Sequence, residues 1–507
     1  MPELPQYPQL YEINTRVWLH TLARQSGRKL TLGTVPPETW DRLKDLGMDL
    51  VWLMGVWRPS PAGTALDRHN PDLKRRCLEI LPDFTPEDLV GSPYAVAGYT
   101  LNPALGTEAD LVQVRANLQR AGLGLILDFV PNHTAPDHPW VPAYPERYVF
   151  SESPEFFTPE AAFRVSGSDG AVRWIARGRD PYFAPWPDTA QLCSVCPETR
   201  QALAAELLNL ARFCDGLRCD MAMLALNQVF GQTWKTWMAA RARPLPERDY
   251  WLEVLEPVQT EFPEFIWMAE VYWGLENELL AQGFRYVYDK TGYDRLRAFD
   301  VPGFKQGLRE EGDRRRRMVR FLENHDEDRM AGAFPPEALR NAAVIHATTP
   351  GLRLFHHGQL EGRRQKLPVQ LGREPEEPGN PDLAAFYQKL LGLTRQPLFK
   401  EGLGSVLPVL PPLPGDQAHQ PLVAFAYSHA QQRGVIAVNF SGQAASGFLK
   451  FPEGFWQGWN RITLIDGLSE PVKNFPRSEV ELESQGLYVR LEPYEFHFLT
   501  ASKGERP

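Results

Sequence analysis

Over roughly the first 400 positions, short runs of consecutive apolar residues alternate with stretches whose apolar positions recur every three to four residues. The first pattern fits strands buried on both faces, and the second fits amphipathic helices. The strand-like runs are 10–14 (LYEIN), 49–56 (DLVWLMGV), 124–130 (GLILDFV), 216–220 (GLRCD), 265–273 (FIWMAEVYW), 284–289 (FRYVYD), 318–323 (MVRFLE) and 352–357 (LRLFHH). Helical spacing falls between them, most clearly at 108–121, 198–213, 336–348 and 382–394. Eight such units predict an α/β chain folded as a (β/α)8 TIM barrel.

Two connections are too long for ordinary barrel loops. The first, about 58–106, mixes Pro, Gly and charged residues, and is placed to cover the barrel mouth. The second, 133–195, is rich in Pro, Trp, Tyr and Phe, which suits a small inserted subdomain after strand three better than a flexible linker. Beyond about residue 396 the helical spacing stops. Short strand-like runs (LVAFAYS, GVIAVNF, RITLIDG, VELES, GLYVRL, FHFLT) follow, punctuated by Gly, Pro and Asn. They predict a C-terminal antiparallel β-sandwich. The expected organisation is a barrel from 1–132 and 196–396, an inserted subdomain at 133–195, and the sandwich at 397–507.

Composition narrows the class. The 507 residues are 43% hydrophobic and 23% charged, ordinary values for a globular chain. A net charge of −9 gives no footprint for nucleic acid. The one basic cluster, Arg314 to Arg317, adjoins Glu310, Glu311 and Asp313 and reads as a solvated helix face. No apolar stretch reaches the ~20 residues that span a bilayer, so no membrane partner is expected. The first residues lack the basic end and apolar core of a secretory signal, which leads to an expected cytoplasmic location. Five cysteines are an odd number for a disulfide framework, and the lone pair Cys193 and Cys196 has no second pair or nearby His to complete a zinc site. Free thiols are expected there.

In such a barrel, chemistry gathers where strands end at the C-terminal face. Four runs end in polar residues: Asp128 to His133, Arg218 to Asp220, Glu270, and Glu323 to Asp326. Any one acid taken alone is more often a helix cap or ion-pair partner. Together they bring several carboxylates, two histidines and an arginine to one mouth, and two carboxylates flanking one bond match glycoside hydrolysis.

In this order, DFVPNH, GLRCD, MAEVYW and FLENHD resemble the four signature regions of the α-amylase superfamily, glycoside hydrolase family 13. The resemblance implies that Asp220 is the nucleophile, Glu270 the general acid/base and Asp326 a third carboxylate gripping the reacting sugar. It implies that Arg218 holds Asp220 ionised, that His133 and His325 bond sugar hydroxyls, and that Tyr94 is an aromatic platform beneath the sugar. Asp128 is then a support near the site, Asn132 a candidate calcium ligand, and Gln359 either a loop-shaping residue or a sugar contact; Tyr99 reads as an ordinary buried tyrosine.

The activity implied is retaining hydrolysis of α-glucosidic bonds in an α-glucan or α-glucoside oligosaccharide. Transglycosylation or disaccharide isomerisation with the same residues is an alternative, and an inactive amylase-fold binding protein a minor one. One departure stands out: where starch-degrading relatives continue past the nucleophile with a Lys-His pair, this chain has Met221-Ala222-Met223-Leu224. That argues for short substrates and for core packing of the turn. No cofactor is required by this chemistry and no metal ligand is assigned; calcium dependence stays open, as does oligomeric state.

Overall fold

A run that is apolar on every residue needs cover on both faces, and the chain supplies it by closing its strands on themselves. The computed structural model describes residues 3–503. Its centre is a closed, all-parallel barrel of eight strands: β1 (Gln9–Asn14), β2 (Leu50–Met54), β3 (Gly124–Phe129), β4 (Gly216–Cys219), β5 (Ile266–Ala269), β6 (Tyr286–Tyr288), β7 (Met318–Arg320) and β8 (Leu352–His356). Neighbours in space are neighbours in sequence, and β1 closes the ring by pairing Gln9 with Arg353 on β8 and Leu10 with Leu50 on β2. Every residue of these strands is buried.

Each strand lies within its predicted run, except that β1 begins one residue earlier, at Gln9, and the polar ends of the runs leave the ladder. β5 stops at Ala269 and β7 at Arg320, so Glu270 and the residues from Phe321 to Asp326 are released into turns at the mouth. The helix Glu108–Arg120 begins at Thr107, whose hydroxyl and amide both bond the Asp110 carboxylate, so cap chemistry fixes where the crossover after β2 becomes helical.

The connection 58–106 is structured. It holds the helices Pro61–His69 and Pro71–Ile80 and an antiparallel pair, Trp57–Pro59 with Val96–Leu101. After β3 the chain builds a three-stranded antiparallel sheet from Phe150–Ser151, Val172–Ala176 and Ala162–Ser166. A second pairing, His133–Thr134 with Ala190–Gln191, ties the start of this insertion to its end.

The C-terminal sandwich has a six-stranded and a three-stranded antiparallel sheet. Period-2 alternation along Leu422–His429 serves two cores at once: Val423, Phe425 and Tyr427 join the barrel's core, while Leu422, Ala424 and Ala426 face the sandwich interior. The sandwich is thereby packed onto the barrel by ordinary hydrophobic burial.

Three expectations change. VELES falls in a helix, Glu479–Ser484, because the Ser478 hydroxyl accepts from the Glu481 amide; a cap outweighs a five-residue alternation. Cys193 and Cys196 form a disulfide, so they are not free thiols; Cys196 is the N-cap of Pro197–Leu210, and the turn entering that helix brings the two sulfurs together. The arginine cluster is partly buried: Arg315 and Arg317 donate to the carbonyls of Leu308 and Arg285, which uses them as caps rather than as a solvated face.

Candidate active site

Arg218, on β4, is the hub. Its side chain is fully buried. It is enclosed by the rings of Trp52, Tyr94 and Tyr288, at 5.2, 5.3 and 5.7 Å from the guanidinium carbon. A buried cation is tolerable only when anions surround it. Here Nη1 donates to Asp220 Oδ1 at 2.7 Å, Nη2 lies 2.8 Å from Glu270 Oε2 in a close ion pair that lacks hydrogen-bond alignment, and Asp326 and Asp128 stand at 3.9 and 4.0 Å. One guanidinium therefore meets four carboxylates from the ends of four different strand units.

That imbalance sets the protonation. Burial, helped by the negative charges of Asp220 and Asp326 and opposed by Arg218, pushes Glu270 up to about 7. Burial also raises Asp220 above the ordinary aspartate value, against the pull of Arg218. Asp128, which accepts from the Gly55 amide at 2.8 Å, is pushed up to about 6 by burial. Four carboxylates around one cation cannot all ionise cheaply, and Glu270 is the site member positioned to keep its proton.

Glu270 is oriented on both oxygens. The Tyr272 hydroxyl donates to Oε1 at 2.6 Å and the Met221 amide to Oε2 at 2.6 Å. The Met221 donor exists because that residue takes a left-handed conformation, φ 41°, at the turn after β4, and Ala222 N then bonds the Glu270 carbonyl at 3.0 Å. Met223 and Leu224 are buried in the core, so the turn that replaces the Lys-His pair packs inward.

Asp326 sits differently. Its side chain is 42% exposed, open to the mouth, while its neighbour His325 is buried. His325 Nε2 lies 2.9 Å from Asp326 Oδ2 and 2.7 Å from the Tyr94 hydroxyl, and its Nδ1 lies 2.5 Å from Glu12 Oε1. A carboxylate on each side outweighs burial and raises His325 well above the usual histidine value; in return the His325 charge outweighs burial and holds Asp326 far below the usual carboxylate range. Tyr94 stacks on the His325 ring at 5.3 Å, which fixes the ring plane.

The structure thus brings Asp220, Glu270, Asp326, Arg218, His325 and Tyr94 into one network. His133 is buried beside the Tyr94 backbone: its ring packs 5.3 Å from Trp186 and contacts Asn132, and burial lowers it to about 4, which makes it neutral. Tyr99 is a brace on Val130, and Gln359 shapes the loop after β8 by accepting from His356 N and donating to Tyr387. Asn132 is occupied: its Oδ1, its own carbonyl and that of Leu192 all accept from the Gln191 amide nitrogen, at 2.9, 2.9 and 3.0 Å. Among the described residues no three carboxylate, imidazole or thiol groups converge on a metal position. The point on which the oxygens at Asn132 converge is held by the Gln191 amide nitrogen.

Sequence reasoning passed over Glu12 and Tyr272. Glu12 was visible as the one acid within the buried LYEIN run; Tyr272 carried only its spacing of two from Glu270.

Residues 38–166 match the family described as alpha amylase, catalytic domain. The fold matches a maltogenic alpha-amylase, AmyB, from Thermotoga neapolitana with a TM-score of 0.66 and 19% identity, covering 98% of this chain and 99% of that one. The family match covers about a quarter of the chain, and the structural match shows that the whole chain has the fold of solved alpha-amylases. Among curated relatives, Alpha-amylase SusG of Bacteroides thetaiotaomicron is 30% identical over 161 residues, covering 28% of this chain and 23% of that one. Trehalose-6-phosphate hydrolase of Escherichia coli is 31% identical over 159 residues, 28% of each chain. The chain spans only about a quarter of the length of these two superfamily members. Among the described residues no helix is long and apolar enough to cross a membrane.

Proposed function

We propose that the protein is a retaining α-glycosidase that cleaves α-glucosidic bonds of oligosaccharides by double displacement. The observation that carries this reading is the pairing of Asp220 and Glu270 across one guanidinium: both carboxylates touch Arg218, yet only Glu270 also receives two outside donors and is held up to about 7. A nucleophile and an acid separated by about 5–5.5 Å are what retention needs.

Asp220, kept anionic by Arg218, attacks the anomeric carbon while Glu270 gives its proton to the departing oxygen. Once the ester to Asp220 has formed, Glu270 is ionised and takes a proton from the incoming water, returning to its starting state. Asp326, held ionised by His325, accepts hydrogen bonds from hydroxyls of the reacting unit as its ring flattens. Asp220 loses its negative charge when the ester forms and regains it on hydrolysis, and the buried Arg218 faces it through both steps.

The test is product stereochemistry. Maltooligosaccharides and α-1,6 and α-1,1 glucosides are incubated with the protein and the newly released anomer is followed by NMR; α-anomers are expected first. β-Anomers, or no turnover of any of the three linkages, overturn the proposal.

A further inference from the structure

Two loops far apart in the chain are joined at the barrel mouth. One is the 58–106 connection after β2; the other runs from His357 to Asn380, between β8 and the helix Pro381–Thr394. The Val90 amide donates to the Gln370 carbonyl at 2.9 Å and the Gly372 amide to that of Asp88 at 2.8 Å, with Leu89 facing Leu371 in an antiparallel bridge. Arg373 grips both oxygens of the Asp88 carboxylate, from Nε at 2.6 Å and from Nη2 at 2.9 Å. Beneath the bridge Leu73, Cys77, Leu81, Leu89 and Leu371 form a small core of their own, separate from that of the barrel.

Arg16 fastens the same joint from below. It is buried, and its guanidinium donates to the Gly91 carbonyl of one loop at 2.8 Å and to the Val369 carbonyl of the other at 2.5 Å. A guanidinium buried against carbonyls is costly without a carboxylate in contact. Here its position clamps the two loops together.

The joint completes a rim. From Leu89 the first loop leads to Tyr94, whose hydroxyl lies 2.7 Å from His325 Nε2. From Leu371 the second leads back to Lys366, whose ammonium bonds the carbonyl of Asp326. Each stretch spans less than about 20 Å even when fully extended. The strands β2 and β8 that carry these loops flank β1 in the closed barrel, and β5, which carries Glu270, stands directly across from it. Glu270 protonates the oxygen that leaves, so the departing units lie on its side. Whatever is attached to the reacting unit through that unit's own hydroxyls extends the other way, and there it meets the rim.

Resting on the glycosidase reading above, we infer that this rim is a stop: the protein takes an α-linked oligosaccharide by its non-reducing end, and a chain cannot pass through to be cut internally. Because Lys366 bonds Asp326 itself, the rim begins at the reacting unit and leaves space for a terminal unit or two.

The experiment uses p-nitrophenyl α-maltopentaoside in two forms, free and with a benzylidene group closing the hydroxyls of the unit farthest from the nitrophenyl ring, and follows consumption and products by chromatography. An enzyme that cuts within a chain treats the two alike. The unaltered protein should consume the blocked form with a kcat/KM lower by at least ~100-fold, and its first nitrophenyl product from the free form should be the tetraoside or trioside. In Gly372→Val the added Cβ lies 2.8 Å from Val90 Cγ1 and forces the two loops apart, so kcat/KM of the blocked form relative to the free one rises about tenfold. Comparable consumption of the two forms, a first product shorter than the trioside, or an unchanged ratio in Gly372→Val each overturns the chain-end assignment and leaves the glycosidase reading standing. No turnover of any glucoside by the unaltered protein overturns both.

Discussion

The two walls that meet at Asp220 and Glu270 are built on opposite principles. On one, Glu12, His325, Asp326 and Tyr94 form a chain of short polar contacts around a buried imidazole. On the other, beyond Glu270, a groove is lined by the rings of Trp273 and Tyr182, glutamine amides and the carboxylates Asp249 and Glu278, while Glu270 itself is held by the Tyr272 hydroxyl and the Met221 amide. The first wall gains strength from low dielectric and full pairing, so a single lost partner leaves a stranded charge. The second gains it from apolar contact, which is additive and forgiving. The lesson is that a fully paired polar wall fails all at once when one partner is lost, whereas an apolar one weakens by degrees.

The sharpest way to break that comparison is at its seam. Asp220→Asn removes the attacking oxygen's charge and should lower kcat at least ~10⁴-fold while circular dichroism and sugar binding persist; near-normal turnover rejects the nucleophile. Next is the polar wall. Glu12→Gln leaves His325 with one carboxylate instead of two, and unfolding in urea should show a loss of about 3 kcal/mol, together with a raised KM; a variant as stable as the parent means that the Glu12–His325 contact contributes nothing.

A smaller effect is expected at Tyr272. For a carboxyl whose acid form does the work, activity is lost as pH rises through its pKa, so kcat/KM of the parent should fall above about pH 7. The Tyr272 hydroxyl stabilises the ionised form, hence Tyr272→Phe raises that pKa and moves the alkaline limb upward by up to ~1 pH unit. A limb that moves down, or stays, assigns it to another group. The smallest effect is none: with the three carbonyls near Asn132 already bonded by Gln191, chelation should leave both activity and the unfolding midpoint unchanged. A midpoint that drops in chelator and returns with calcium refutes that reading of the donor set.

Much of this was legible in the chain. Continuous apolar runs announce strands covered on both faces, and all eight runs close into the barrel. Acids that end several such runs together stand out where any one alone would read as a cap or ion pair, which is why Asp220, Glu270 and Asp326 were visible as candidates. Elements decided by a short local competition were less readable: VELES alternates like a strand, yet a single serine cap made it a helix. Cys193 and Cys196 look like any spaced pair until the turn before the next helix sets their sulfurs against each other.

What the sequence determined by itself is periodicity and the identity of strand-end groups, because burial on two faces and the offset of side chains along a strand are local properties. What only the tertiary structure decided is who faces whom. Glu12 and His325 are 313 residues apart and yet lie 2.5 Å from each other, since β1 and β7 both border β8 in the closed ring. Trp273 and Tyr182 meet because an insertion folds back over the barrel. Charge balance at Arg218, and with it the proton on Glu270, depends on distances between four separate strand ends, and no stretch of sequence contains those distances.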